Sequence, residues 1–110
     1  MTSKELEVFN NMPFLFWVKN SEGVYIFANE EIRKLADGEI IGKTDYELPW
    51  AKDADKLREA DREVLDSGKT QYIHEFVDEA GRGRIKLNVC KFAEDFEGEK
   101  CAFGISFEVK

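Results

Sequence analysis

Residues 40–68 form the one long stretch of this chain that cannot be a strand, so the rest must be arranged around it. The run Ile40-Ile41-Gly42-Lys43-Thr44-Asp45-Tyr46-Glu47-Leu48-Pro49-Trp50 has Thr44 with Glu47 three residues on. That is the pattern of a capping box, which starts a very short helix that Pro49 breaks. Lys52 to Ser67 then reads as the one substantial helix, closed by Gly68 in the place of a left-handed cap. Its apolar stripe runs Ala54, Leu57, Val64, Leu65, and Asp61 stands inside it. A carboxylate there is costly unless hydrogen-bonded. Three roles are open to Asp61: a rim residue reaching water, a tie to backbone amides or to the Trp50 indole N–H, or a ligand contact. Asp53, Asp55, Glu59 and Glu63 alternate with Lys52, Lys56, Arg58 and Arg62, which makes a solvated face with i,i+4 pairs.

Strand-like runs flank this insert. Residues 14–19 and 24–28 are rich in aromatic and β-branched side chains, and Asn20-Ser21-Glu22-Gly23 between them is turn chemistry, so 14–28 is a β-hairpin. Asn29 follows as an N-cap for residues 30–36, with acids in the first turn and bases in the last, and Asp37-Gly38 stops that helix. Residues 70–78 form a third strand and the 79–83 segment a turn. Residues 84–93 form a fourth strand, with Ile85, Leu87 and Val89 alternating against Lys86, Asn88 and Cys90. A loop over 94–98 leads to the last strand, 101–109. It sets Phe103, Ile105, Phe107 and Val109 on one face and Ala102, Gly104 and Ser106 on the other, where small residues leave room for something to approach. Residues 3–11 read as a short helix ended by Met12-Pro13. With so little apolar area it must dock on something, a second copy being one option. The order β-β-α-α-α-β-β-β makes an α+β domain, one sheet with a helical cover able to enclose a cavity.

The bulk properties exclude several function classes. A chain of 110 residues builds one core. No apolar run approaches the roughly 20 residues of a membrane span, and the N-terminus has no signal pattern, so the expected setting is cytoplasmic, without direct membrane contact. The net charge of −7, with no basic cluster beyond Arg82-Gly83-Arg84-Ile85-Lys86, argues against nucleic acid as a partner. Cys90 and Cys101 match no metal-ligand spacing, and a turn near Glu97-Gly98 would not set them opposite each other, so a disulfide is rejected. His74 is the sole histidine and lies mid-strand, and no nucleophile has a base and an orienter beside it. The domain is therefore expected to be no enzyme and to hold no metal.

With the element order in place, the chain resembles a PAS domain over essentially its whole length. The resemblance rests on Val18-Lys19-Asn20-Ser21-Glu22-Gly23 at the first turn, Tyr25 to Asn29, and Ile41-Gly42-Lys43-Thr44-Asp45 entering the short helix. Leu57, Asp61, Val64, Leu65 and Gly68 match on the long helix, and Phe103-Gly104-Ile105-Ser106-Phe107-Glu108-Val109 at the end. The family usually has an acid where Asn20 stands. The resemblance implies a five-stranded antiparallel sheet in the order 2-1-5-4-3, helices over one face, and a single domain at 13–110 behind a flanking helix at 1–12. It also implies a sensory input module of a bacterial signalling protein, ahead of a histidine kinase, diguanylate cyclase or helix-turn-helix transcriptional output.

Family members bind haem, flavin or small metabolites between helices and sheet, or serve only to dimerise. The long helix has no histidine to ligate haem iron, and residues 39–50 have no cysteine for flavin photochemistry. Those cofactors are disfavoured; a non-covalent flavin or a small metabolite remains open. The expected partners are a second copy, a downstream output domain and a small ligand. Phe27, Trp50, Leu57, Asp61 and Ile105 are the expected pocket residues. The rival expectation is a ligand-free interaction module whose core is filled by its own Phe and Trp side chains and which dimerises through the N-terminal helix and the outer sheet.

Overall fold

Local chemistry sets the two tight turns that frame the sheet. At the first, the Asn20 side chain accepts from the backbone N–H groups of Glu22 (2.9 Å) and Val24 (3.0 Å), while Gly23 takes φ 85°. This joins β1 (Leu15–Lys19) to β2 (Tyr25–Ala28). At the second, Glu97 and Gly98 both have positive φ, 51° and 87°, as a two-residue hairpin requires. That turn is shorter than the loop expected over 94–98. Glu94, Asp95 and Phe96 continue the ladder against Cys101, Lys100 and Glu99, because the tight turn fixes the register up to its own ends despite the poor strand propensity of Glu and Asp. β4 therefore runs Gly83–Phe96 and β5 Glu99–Glu108, with β3 at Gln71–Glu79.

The computed structural model describes residues 1–81 and 83–109; Arg82, part of the expected 79–83 turn and of the short basic cluster, lies outside the described residues. The five strands form one antiparallel sheet in the order β2-β1-β5-β4-β3, the order the resemblance implied. α2 (Glu30–Ala36), 3-10 turns at Asp45–Glu47 and Ala51–Asp53, and α3 (Ala54–Ser67) cover its inner face. Gly68 closes α3 at φ 71°, and the Lys100 ammonium donates to the Leu65 carbonyl near that end.

The outer face carries a second apolar core. α1 (Ser3–Leu6) and a 3-10 turn (Glu7–Phe9) dock there on the chain's own sheet. Leu6 is buried, and the Phe9 ring stacks on Phe16 at 4.4 Å between centroids. Asn29 fastens this segment to the rest. Fully buried, it accepts from Phe16 N–H and Ile32 N–H and donates to the carbonyls of Phe9 and Phe14.

One irregularity decides which side chains meet the helices. Val18 pairs with Phe27, but Lys19 pairs with Tyr25, so Ile26 is an extra residue in β2. The bulge breaks the alternation. Tyr25 faces inward with Lys19, whereas Ile26 and Phe27 both join the outer core.

Candidate functional site

The inner face of a sheet covered by helices should be apolar. Here it holds a cluster of buried charges at one end. Lys19, the last residue of β1, is in phase with Leu15 and Trp17 and so points inward. Lys91 is in phase with Ile85, Leu87 and Val89 on β4 and does the same. Each is 1% exposed. Such ammonium groups are tolerated only when paired, and the helical cover supplies the partners.

Asp61 of α3 is the hub. One carboxylate oxygen lies 2.5 Å from Lys19 Nζ and the other 3.2 Å from Lys91 Nζ, both as ion pairs. Lys19 also donates to Asp45 at 2.9 Å and lies 5.1 Å from the Tyr25 ring centroid. Lys91 reaches Glu75 on β3 at 2.9 Å and the Leu57 carbonyl at 3.5 Å. Arg58, one helical turn before Asp61, approaches it at 3.5 Å. Among the described residues, three cations thus face three carboxylates and their formal charges cancel.

Asp45 opens the 3-10 turn Asp45–Glu47, whose N-cap Thr44 donates its backbone N–H to the Glu47 carboxylate at 3.0 Å. Its own carboxylate accepts from the Tyr25 hydroxyl (2.6 Å) and the Trp50 indole N–H (2.8 Å) as well as from Lys19. Burial alone would raise the Asp45 pKa, but Lys19 and the hydrogen bonds from Tyr25, Lys19 and Trp50 outweigh it and hold the carboxyl below the usual carboxylate range. Burial likewise opposes the charge of Lys19, yet Asp61 and then Asp45 keep its pKa above the ordinary lysine value. Burial, followed by Asp45, pushes the Tyr25 phenol well above its usual value.

Beside this polar floor lies a cavity of about 30 Å³, walled by Leu15, Trp17, Ile32, Leu35, Val77 and Leu87 and met by Lys19, Tyr25, Trp50, Leu57, Glu75 and Lys91. Trp50 and Leu57, two of the expected pocket residues, line it. Asp61 meets it through the two lysines. It is neither a rim residue in water nor the partner of the Trp50 indole, which Asp45 takes.

Phe27 and Ile105 do not belong to this site. The bulge turns Phe27 to the outer core, and Ile105 pairs with Phe16 and Cys90 on that same face. The inward residues of β5 are the small ones, Ala102, Gly104 and Ser106. The room they leave is taken by the chain itself: the Trp17 ring lies across Gly104, where a Cβ would fall 2.2 Å from it. Cys90 and Cys101 are free and face Ile105 and Glu94, and burial raises the Cys101 thiol pKa.

Sequence reasoning found Asp61 as an anomaly but missed Lys19, Lys91, Asp45, Tyr25 and Glu75. Phase was the available signal for the lysines, since each falls on the apolar parity of its strand.

No curated protein matches the chain in sequence. Among solved structures, VqmA bound to DPO superposes with a TM-score of 0.84 at 19% identity, covering 97% of this chain and 57% of VqmA. A Vibrio cholerae VqmA dimer gives 0.84 at 19%, covering 100% of this chain and 53% of that one. This chain therefore spans little more than half the length of VqmA. The PAS domain of an HTR-like protein from Haloarcula marismortui gives 0.77 at 15% identity, with 97% and 90% of the two chains covered. At these identities the likeness concerns the fold. The family model described as PAS fold matches residues 9–105, and by that match the chain belongs to the PAS family of sensory domains.

Proposed function

We propose that this domain senses a small, neutral, hydrogen-bonding molecule in the cavity under Trp50 and Leu57, and that occupancy controls an output domain in the same protein. The observation that carries this reading is the pairing of an aromatic and aliphatic cavity with a charge-balanced polar floor. Lys19, Tyr25, Glu75 and Lys91 all reach it from different strands. A ligand with net charge would leave one buried charge uncompensated, a penalty of several kcal/mol. A neutral one can exchange hydrogen bonds with the floor.

Size limits the resting state. A volume of 30 Å³ is about the share of one water molecule. Anything larger requires the 45–53 segment to shift, and that segment is held by 3-10 turns and side-chain hydrogen bonds rather than by a long helix. The ligand would then select an open conformer from a pre-existing equilibrium, and that selection would be the signal. A small metabolite suits this volume better than a flavin, whose ring system would displace several core residues. VqmA, solved with DPO and as a complex with ligand and DNA, supports such use of the fold. A transcriptional regulator, histidine kinase or diguanylate cyclase would follow as output, with the parent protein acting as a homodimer in the cytoplasm.

The rival reading, a ligand-free interaction module, is favoured by Trp17 filling the space over Gly104. Native mass spectrometry of the purified domain separates the two. A retained small-molecule adduct that is lost in Trp50→Ala, with the fold intact by circular dichroism, supports sensing. A clean apoprotein mass, with no thermal shift against a library of neutral metabolites, supports the interaction module.

A further inference from the structure

The two edges of the sheet are treated differently. The β2 edge is closed by the chain: Tyr25 N–H donates to the Lys43 carbonyl at 2.9 Å, and Gly42 N–H to the Tyr25 carbonyl at 2.8 Å. The β3 edge is open. Among the described residues, the backbone of 71–78 pairs with β4 and nothing else, and α3 packs chiefly on β4 and β5. Exposed strand edges are normally blunted by proline, lysine or a bulge because they template pairing with another chain. Over its nine residues, Gln71–Glu79, β3 has no proline, lysine or arginine, and its ladder with β4 is regular. Of its carboxylates, Glu75 is paired with Lys91 and Asp78 with Lys52, so neither presents an uncompensated charge at the edge. It also displays Tyr72, 81% exposed, and Phe76, 51% exposed, on one face with His74 between them.

We propose that this edge is a homodimer interface, in which β3 of a second copy pairs antiparallel across a twofold axis at His74. The sequence of the strand argues for a second copy and for this register. Opposed residues in an antiparallel pair share a face, so the axis must pass through one residue rather than between two. Centred on His74, Tyr72 meets the partner's Phe76 and Lys69 meets the partner's Glu79, each twice by symmetry. That gives two aromatic cross-strand pairs and two opposite-charge pairs. Glu75, already neutralised by Lys91 at 2.9 Å, meets the partner's Ile73. Centring on Glu75 would oppose two carboxylates. Centring on Ile73 sets Lys69 against Val77 and loses both kinds of pair. Centring on Phe76 sets Tyr72 against Ala80 and Glu79 against Ile73, and loses the opposite-charge pairs. The resulting ten-stranded sheet continues through the axis, and its central strand carries Glu75, the last member of the buried network. The interface needs no ligand in the inner cavity.

The test is sedimentation velocity of the chain over a concentration series, with two variants. The wild type is expected to show a reversible monomer–dimer equilibrium. Tyr72→Lys with Phe76→Lys, both at exposed positions, is expected to weaken it at least tenfold with an unchanged circular dichroism spectrum. In a Cys90→Ala background, His74→Cys is expected to oxidise to a disulfide-linked dimer, since Cα atoms opposed in an antiparallel pair lie about 4.5–5.5 Å apart, within disulfide reach. A wild type that stays monomeric overturns the proposal. So does a dimer that survives Tyr72→Lys with Phe76→Lys, or one that crosslinks through Phe107→Cys and not through His74→Cys, which would place the contact on the outer sheet face.

Discussion

Replacing Asp61 by Asn tests whether the buried network holds the helix to the sheet. The substitution keeps the shape and removes one negative charge. The cluster then carries three cations against two carboxylates, and each lysine keeps one carboxylate: Lys19 retains Asp45 at 2.9 Å and Lys91 retains Glu75 at 2.9 Å. Breaking a buried ion pair from one side costs about 3–5 kcal/mol, because the surviving charge stays desolvated. The retained partners place Asp61→Asn at the lower end, about 3 kcal/mol. For a domain near 100 residues that corresponds to a fall in Tm of roughly 12 °C or more. Urea denaturation at neutral pH should show the midpoint falling with the m-value unchanged. Adding Lys91→Met to Asp61→Asn restores the charge balance, so the double variant should recover part of the loss, a coupling energy of about 1–2 kcal/mol. A loss below about 1 kcal/mol for Asp61→Asn, or additive single effects, would refute a load-carrying role for the network, since exposed pairs of that kind are the ones worth so little.

Three further outcomes follow from the same geometry. Gly104→Ala puts a methyl 2.2 Å from the Trp17 ring. It should cost about 1–3 kcal/mol by overpacking, read by chemical denaturation, with Trp17→Leu relieving it in the double variant. Asn29→Ala removes the α2 cap, orphans the Phe16 N–H and the Phe14 carbonyl, and leaves the Phe9 carbonyl with only the Met12 N–H at 3.3 Å. It should cost about 2–4 kcal/mol and raise hydrogen exchange in residues 1–14 before the rest of the domain. In a pH titration of stability, Asp45 has a folded pKa below its unfolded value. Its contribution is present above about pH 4 and is lost as pH falls through the folded pKa. Lys19 and Tyr25 are raised, so theirs is present below about pH 10 and lost as pH rises through their folded values. The acid limb of the stability plateau should therefore be shallower in Asp45→Asn than in the wild type, the remainder coming from other carboxylates with lowered pKa such as Asp53.

What was legible in the sequence was what short-range chemistry decides. The Asn20–Gly23 turn, the Asn29 cap, the Thr44/Glu47 box and the Gly68 stop each depend on residues within a few positions, and each is where it was expected. The pocket depended on pairing. Phe27 changed face because Ile26 is an extra residue against β1, a fact of register that neither strand shows alone. Lys19 and Lys91 fell on the inward parity of their strands, but a lysine at such a position reads as the solvated end of a strand until its carboxylates are in place. Those lie 26 and 42 residues along the chain from Lys19, at Asp45 and Asp61, and no local rule connects them. The small face of β5 was visible as Ala102, Gly104 and Ser106. Its occupant, Trp17, needed the β1–β5 register to be known.

A neutral ion cluster is a weak source of stability compared with a well-packed apolar core of the same volume, so its presence under the helical cover calls for another advantage. Geometry offers one. Apolar contacts tolerate small slips between helix and sheet, whereas Asp61 satisfies Lys19 and Lys91 together only when α3, β1 and β4 hold one relative position, and Asp45 extends that condition to the 45–53 segment through Tyr25 and Trp50. Under the proposed function, shifting that segment to admit a ligand would break charge-assisted bonds rather than gradually loosen packing, which favours a two-state response of the cover. Glu75 carries the same condition to β3, the open edge of the sheet. Under the same proposed function, its ion pair with Lys91 would link the cavity floor to the sheet edge.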